Sequence, residues 1–178
     1  LLAGYCRRVL TWLELGLQSA SDATLARINR CHTVADFADA ARRAALRGIP
    51  VAAHVILGLP GEGREQALAT AGYLAALPVS GLKLHALHIL RGSRLEQEHA
   101  GAPLPLLSLE EYASLACDFL ERTRPEVVIQ RLAADAPRRE LIAPQWCLRK
   151  LKTVNAVEKE LERRDSRQGL ALFTSPGA

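Results

Sequence analysis

The residues of this sequence that are best suited to chemistry lie in strand-like segments or directly after them. Glu14 interrupts an apolar run, and a carboxylate in a central strand is costly unless it is paired or faces a polar cavity. Alternate residues of a strand share a face, so Glu14, Gly16 and Gln18 are expected to point together into a barrel interior. Two interpretations stay open: a ligand-binding polar face, or a buried salt bridge from Glu14 to Lys83.

A second candidate is the glycine-rich turn at 58–63 (GLPGEG), which follows an apolar strand and precedes a helix. Small residues there let a ligand approach the backbone, and a helix N-terminus favours anionic groups. In parallel α/β folds this end of the strands forms the ligand face. The turn matches neither the dinucleotide motif GxGxxG nor the Walker loop, and tight turns without a ligand use similar glycines.

Three histidines, His54, His85 and His88, come from two strand candidates. His85 and His88 are three residues apart, so a regular strand places them on opposite faces and they do not chelate one metal ion together. A hydrogen-bonded core role is the commoner one for such residues. The sequence shows neither an HExxH motif nor a Ser–His–Asp arrangement.

The four cysteines stand far apart in sequence, at positions 6, 31, 117 and 147. Zinc and iron–sulfur sites usually use closely spaced pairs, so these four are not expected to build one. We expect free thiols in a reducing cytoplasm.

Several apolar segments must position these residues. Four of them are apolar on both faces for most of their length, which is typical of buried parallel strands. They cover residues 9–17, 50–57, 81–90 and, more weakly, 127–132.

Helical patterns separate the strand candidates. Caps are expected at Ser21, at Thr33 and at Ser108, where Glu111 completes a capping box. Further helical patterns cover 64–77 and 148–161, the second of them charged. Strands that alternate with helices predict a parallel sheet or part of a barrel.

Length and charge limit the class of protein. The chain has 178 residues, contains no Met and begins with Leu1, so we expect it to be a piece of a longer protein. No run of 18 apolar residues occurs, which excludes a membrane-spanning helix by sequence.

Residues 122–178 carry 12 Lys/Arg and 7 Asp/Glu, a net charge of +5. Such a tail fits an anionic partner or simply a solvated basic helix.

An ordered series of segments resembles the second half of the radical S-adenosylmethionine (SAM) superfamily core. Later segments narrow the resemblance to its YhcC/YtqA-type branch, which is related to the elongator catalytic subunit and to the oxygen-independent coproporphyrinogen oxidases. The series covers roughly residues 9–170. Its segments are 14–19 (ELGLQS), 30–33 (RCHT), 54–62 (HVILGLPGE), 83–95, 129–132, 135–137, 141–146 and 168–169.

The resemblance implies a partial (β/α)6 barrel, of which this chain would form the second half. Residues 1–132 would belong to the barrel, and 133–178 to a helical C-terminal extension. Family members bind a [4Fe–4S] cluster through CxxxCxxC and cleave SAM to a 5′-deoxyadenosyl radical that abstracts a hydrogen atom. The motif is absent from this sequence, so the cluster ligands are expected outside it and the chain alone is expected to be inactive.

The resemblance also implies roles for individual residues. Contacts to the ribose and methionyl parts of SAM would fall on Glu14 and Gln18, and packing against adenine on Ile56 and Gly58. The family's leading glycine is replaced by His54, and its glutamate falls one place late, at Glu62. The loop after the sixth strand would reach adenine through backbone groups of His88, Ile89 and Leu90.

Three functions are open at this point. The first is a cytoplasmic radical SAM enzyme that takes electrons from a flavodoxin or ferredoxin, with RNA, including tRNA, as a candidate substrate. The second is a non-catalytic RNA- or protein-binding module. The third is an ordinary barrel enzyme using Glu14, His54 or His85 as acid or base.

Half a barrel leaves an open sheet edge, so the isolated chain is expected to self-associate.

Overall fold

The fold centres on a parallel sheet in a computed structural model that describes residues 2–6, 8–134 and 136–173. The strands follow the order β1-β2-β3-β5, and all three neighbouring pairs are parallel. The predicted parallel α/β class is confirmed. The bounds of these strands are Leu13–Gln18 for β1, Val51–Leu57 for β2, Gly81–Ala86 for β3 and Val128–Arg131 for β5.

Helices connect and cover the strands, and a small antiparallel sheet of β4 and β6 stands beside them. The helices are α1 (Leu2–Tyr5), α2 (Asp22–Arg27), α3 (Val34–Ala45), α4 (Arg64–Ala75), α5 (Arg94–Gly101), α6 (Leu109–Leu120), α7 (Lys150–Arg163) and α8 (Leu170–Phe173). Strand β4 covers Ile89–Leu90 and β6 covers Leu141–Ala143, and a 3₁₀ turn covers Gln145–Leu148.

The apolar core lies on one face of the sheet. Leu17, Val55 and Leu84 are fully buried there, among side chains of α3, α4 and α6. The opposite face carries the half-buried His54 and Ile56 of β2, which alternate with the core residues. One face therefore stabilises the fold, and the other is left for polar groups.

The predicted helix starts are confirmed. Ser21 Oγ accepts a hydrogen bond from Thr24 N at 3.2 Å. At Ser108 the capping box is complete, because Glu111 N donates to Ser108 Oγ at 3.1 Å and Ser108 N donates to Glu111 Oε2 at 2.7 Å. A cap of this kind contributes about 1 kcal/mol and fixes where the chain turns into the helix.

The first strand is four residues shorter at its start than the predicted segment 9–17. It begins at Leu13, whose N–H donates to Pro50 O at 2.9 Å, and Leu10 before it is 85% exposed. An apolar residue joins a sheet only where a partner strand is present, and β2 begins at Val51.

The predicted strand 81–90 is wrong in its second half. The chain leaves the sheet after Ala86, because β2 ends at Leu57 and offers no further partner. The last hydrogen bond between the two strands is donated by Leu87 N to Leu57 O at 3.0 Å, and the chain then turns into β4. Strand β6 and helix α5 were not predicted from the sequence.

The charged helix predicted at 148–161 is confirmed as α7, shifted by two residues. It packs on α6, and Arg164 just after it bonds to Asp118 Oδ1 and Glu160 Oε1, both at 2.7 Å. The domain boundary between 132 and 133 stays a prediction. Asp135, in one of the resembling segments, and positions 174–178 of the proposed extension lie outside the described residues.

Among the described residues, no helix is long and apolar enough to cross a bilayer.

Candidate functional site

The carboxyl ends of β1, β2 and β3 form the edge where the predicted site residues lie. The strands are neighbours in the sheet and parallel, so Gln18, Gly58 and His88 follow adjacent strand ends. The loops after parallel strands are free to shape a binding site because the strands themselves are fixed by their ladder.

The end of β1 contains an irregularity that redirects Gln18. Gly16 pairs with His54 and Gln18 with Val55, so the register shifts by one residue around Leu17. Gln18 adopts φ 69°, in the left-handed region. Bulges of this kind turn a side chain away from its regular direction.

Gln18 and Arg30 converge over Gly16. A Cβ built on Gly16 would overlap Gln18 Nε2 and lie 2.5 Å from Arg30 Nη2. The amide and the guanidinium therefore occupy the space that any other residue at position 16 would fill. A cavity of about 230 Å³ lies beside Gly16 and Arg30 on the side of α3, where Asp36 and Phe37 line it and Gln18 does not. A guanidinium and an amide together are suited to bind a carboxylate.

The turn after β2 brings Gly58 and Glu62 to the same edge. Gly58 and Gly61 adopt φ 82° and 85°, conformations that favour glycine, and Glu62 N donates to Leu59 O at 2.9 Å. Gly63 N donates to Gln66 Oε1 at 2.9 Å and opens α4. The turn is tight, and Gly58 is half-buried, with the Leu107 side chain 3.0 Å from where a Cβ would lie.

Glu62 contacts the end of β1. The buried Ser19 hydroxyl donates to Glu62 Oε1 and accepts from Ser21 N at 3.1 Å. Next to it, Ala20 N donates to Thr70 Oγ1 of α4 at 3.0 Å. The one-place displacement of Glu62 thus places its carboxylate against the neighbouring turn.

Glu14 lies further from the carboxyl ends of the strands, in a charged cluster on the polar face of the sheet. Its carboxylate accepts a hydrogen bond from Lys83 Nζ, and its Oε2 lies 2.9 Å from His54 Nε2. The bond from Lys83 is the main cause that lowers the pKa of Glu14, while desolvation opposes it. The Glu14–Lys83 salt bridge weighed from the sequence is confirmed, although the Glu14 side chain is 47% exposed rather than buried.

Two histidines of this face stack on each other. The ring centroids of His54 and His85 are 5.5 Å apart with an angle of 22° between the planes. Burial, with smaller effects from nearby charges such as His54, lowers the pKa of His85 to about 4. This lowered pKa keeps the ring neutral at pH 7, and His85 Nε2 is buried without a hydrogen-bond partner.

The remaining predicted residues lie at the same edge with different exposures. Ile56 is half-buried and pairs with His85 in the β2–β3 register. His88 is half-buried, and burial lowers its pKa. Ile89 is fully buried and pairs with Ala143, and Leu90 pairs with Leu141. The β4–β6 pairing therefore fixes the segment that follows His88.

Sequence reasoning missed Arg30 and the Ser19–Glu62 contact. Arg30 lies in the segment RCHT, which we used only as a family signal. One feature of the sequence could have indicated them: position 16, two residues before Gln18, is a glycine, and other side chains fill the space that its missing side chain leaves.

The residues for an iron–sulfur cluster are not assembled here. The four cysteines are free thiols, and Cys117 and Cys147 have pKa values raised by burial to about 11 and about 12. In the parts of the chain described, no group of three or more His, Cys, Asp or Glu residues could hold a metal ion. The Arg30 guanidinium and the Gln18 amide are suited to a carboxylate such as that of SAM. The described cysteines are not arranged to hold a cluster.

Two family models match the sequence. The sequence model of the Radical SAM superfamily matches residues 1–74, and that of the Radical_SAM C-terminal domain matches residues 79–163. The chain belongs to the radical SAM superfamily, whose members in general use SAM and a [4Fe–4S] cluster.

Within that superfamily the chain is similar to several bacterial proteins. It is 38% identical to YtqA of Bacillus subtilis over 94% of the chain, and 43% identical to YhcC of Escherichia coli over 76% of it. The chain spans about half the length of these relatives, 52% of YtqA and 44% of YhcC. It is also 32% identical, over 71% of its length and 28% of the relative, to a tRNA uridine(34) acetyltransferase of Dehalococcoides mccartyi.

A solved structure shares the fold. The archaeal Elp3 of Methanocaldococcus infernus matches with a TM-score of 0.80 and 18% identity, over 94% of this chain and 39% of the Elp3 chain. At this identity the likeness concerns the fold alone.

Proposed function

We propose that the chain is the SAM-binding half of a radical SAM enzyme whose cluster ligands lie outside the sequence given. The observation that carries the proposal is the convergence of Gln18 and Arg30 over Gly16. SAM presents a carboxylate, ribose hydroxyls and a flat adenine ring. The guanidinium and the amide are complementary to the carboxylate and the hydroxyls, and the half-buried Ile56 offers an apolar side chain to the ring.

Each residue has a distinct part in this proposal. Arg30 pairs with the methionyl carboxylate of SAM, and Gln18 donates and accepts hydrogen bonds at the ribose or amino group. Gly58 and Ile56 form the surface against which adenine packs. In family members, bound SAM supplies a 5′-deoxyadenosyl radical that removes a hydrogen atom from the substrate. This chain orients the cofactor and helps to exclude water from it.

Glu14 has a less direct part than the resemblance alone implied. Its carboxylate is engaged by Lys83 and His54, and it lies four residues before Gln18, which the irregularity at Leu17 redirects. We propose that this cluster lines the substrate side of the barrel and keeps a fixed charge there, while Gln18 and Arg30 contact SAM.

RNA is the substrate class that we propose. Arg91, Arg138, Arg139, Arg149 and Lys152 are exposed around the β4–β6 sheet and the start of α7. Arg91 N donates to Glu140 O at 2.8 Å, which links this surface to the segment following His88. The name of the D. mccartyi relative, a tRNA-modifying enzyme, supports the same class.

Assay of SAM cleavage tests the proposal. The protein is expressed from its own start codon, so that any sequence before Leu1 is included, and is reconstituted anaerobically with iron and sulfide. With dithionite as reductant, or with a flavodoxin or ferredoxin as the proposed natural donor, we expect 5′-deoxyadenosine to form from SAM. If neither 5′-deoxyadenosine nor methylthioadenosine forms, the enzyme proposal fails.

Arg30 supplies a sharper version of the same test. Arg30→Gln is expected to weaken SAM binding by roughly tenfold to a hundredfold, since a charge-assisted hydrogen bond is worth about 1.5–3 kcal/mol. Arg43→Gln, an exposed arginine of α3, is the matched control. Equal SAM affinity of the two variants would remove Arg30 from the site.

A second candidate function is a non-catalytic RNA-binding module. The exposed basic residues favour it, although Arg163 and Arg164 of the basic tail are paired with Glu160. Aromatic residues make up only 4% of the chain, so few base-stacking platforms are present. A salt titration decides: charge-driven RNA binding must weaken as salt rises, and affinity that is independent of salt contradicts it.

A further inference from the structure

We infer that Glu62 is a positioning residue for Gln18 and acts through Ser19. The inference rests on the proposed function, because its consequence is measured as binding of SAM. It concerns a residue that the resemblance left without a role, since the family's glutamate position falls on Gly61.

The contact joins the turns that follow two neighbouring strands. Ser19 is 1% exposed, and its hydroxyl donates to Glu62 Oε1 and accepts from Ser21 N. Ala20 N is held by Thr70 Oγ1, which is itself 2% exposed. Both anchors of the segment that follows Gln18 therefore come from the β2–α4 connection or from α4 itself.

Gln18 needs such an anchor because its backbone is strained. Its φ of 69° is unfavourable for a residue with a side chain, and it persists only where the surroundings fix it. Leu17 on one side is fully buried and Ser19 on the other is tied to Glu62. Together they hold the conformation that aims the Gln18 amide over Gly16.

The position of Glu62 follows from the turn itself. Gly61 adopts φ 85°, and the following Glu62 N–H closes the turn on Leu59 O at 2.9 Å. The chain is thereby reversed, and the Glu62 side chain reaches back to β1. Arg64, the nearest cation in sequence, is paired with Asp118 at 2.6 Å and does not compete with Ser19 for the Glu62 carboxylate.

Binding of SAM alone, measured by equilibrium dialysis on the complete protein, tests the inference. Glu62→Ala is expected to raise the Kd for SAM about tenfold, equivalent to about 1.4 kcal/mol. Glu62→Gln is expected to stay within about threefold of wild type, because the amide oxygen still accepts from Ser19. Glu65→Ala changes an exposed glutamate in the first turn of α4; it is the matched control and should bind like wild type.

A second control separates positioning from general stability. Ser114→Ala removes a hydrogen bond to Arg164 at 2.7 Å in the α6–α7 contact. It should lower the melting temperature without changing the Kd for SAM. If Glu62→Ala changes affinity no more than Ser114→Ala at equal loss of melting temperature, the inference is overturned.

Amide hydrogen exchange keeps the inference distinct from the proposed function. Exchange at residues 19–21 should accelerate in Glu62→Ala and in Ser19→Ala, but not in Glu62→Gln, whether or not SAM binds. Wild type that fails to bind SAM contradicts the proposed function. Wild type that binds SAM, with Glu62→Ala showing faster exchange and unchanged affinity, contradicts the positioning role alone.

Discussion

At the scale of single residues, Gly16 places the strongest demand on residue type. Its missing side chain leaves room for the Gln18 amide and the Arg30 guanidinium, which come from the end of the strand and from the loop after α2. A close approach of this kind is a reason for glycine that is independent of backbone conformation.

Gly16→Ala is therefore expected to displace both groups and to raise the Kd for SAM by about tenfold or more. Gly72→Ala in α4 is the control, because a Cβ there meets nothing within 4 Å. In a helix interior that change is expected to stabilise the fold by about 0.5–1 kcal/mol. Isothermal titration with SAM and thermal melting measure the two effects; equal affinities would disprove the role of Gly16.

His85 gives the fold a predictable pH dependence. Its pKa is about 4 in the folded protein and about 6.5 in an unfolded chain, so the unfolded state binds more protons between these values. The contribution to stability is present above pH 6.5 and is lost as pH falls towards 4. Since His85 is partly exposed, screening limits this loss to about 1–2 kcal/mol.

Urea unfolding at pH 7 and pH 5 measures this effect. Wild type should lose more stability on acidification than His85→Phe, which cannot take up a proton. Parallel losses in the two proteins would show that other groups, such as His88, cause the acid sensitivity.

The candidate site was only partly predictable from the sequence. Glu14, Gln18 and Gly58 were found because they interrupt or end apolar strands. Their partners were harder, since the left-handed φ of Gln18 depends on contacts from a segment more than forty residues away, such as Glu62. Single-sequence patterns carry local information and do not specify such a pairing.

At the scale of elements, the α6–α7 contact depends on one arginine. Arg164 bonds to Asp118, Glu160 and the Ser114 hydroxyl, and Asp118 is only 5% exposed. A buried carboxylate that already pairs with Arg64 becomes under-compensated when Arg164 is removed.

Arg164→Ala is expected to destabilise the fold by about 3 kcal/mol, which is typical of breaking a buried pair from one side. Arg163→Ala is the control, because the Arg163 side chain is 69% exposed and its pair with Glu160 is solvated. Chemical denaturation measures both. A similar midpoint for the two variants would mean that Arg164 is not a structural anchor.

The elements themselves were predictable in type more than in extent. Capped helices such as α6 begin where Ser108 and Glu111 indicated. Strand ends were less accurate, because Leu10 and Leu87 are as apolar as strand residues but lie outside the paired registers of β1 and β3. Pairing decides where a strand stops, and a single sequence does not show its pairs.

At the scale of the whole molecule, the sheet has two outer strands in the residues described, β1 and β5. The β1 side also carries exposed apolar residues, Val9 at 58% and Leu10 at 85%. An open edge next to apolar surface is a site for pairing with another chain.

We therefore predict that the isolated chain self-associates and that Val9→Lys with Leu10→Lys reduces this. Leu151→Lys, on α7, removes a similarly exposed apolar residue elsewhere and is the control. Size-exclusion chromatography with light scattering gives the mass. A monodisperse monomer of the unmodified chain would contradict the prediction.

The path of the chain after α7 has a practical consequence. Gln168 Nε2 donates to Arg124 O at 2.7 Å and to Val127 O at 2.8 Å, directly before β5 begins. The chain therefore returns to the amino ends of the strands, opposite Gln18 and Gly58. A tether or fluorophore attached after Phe173 would therefore hold the molecule on the side of the amino ends of the strands. The carboxyl ends would stay accessible to a partner as large as a folded RNA.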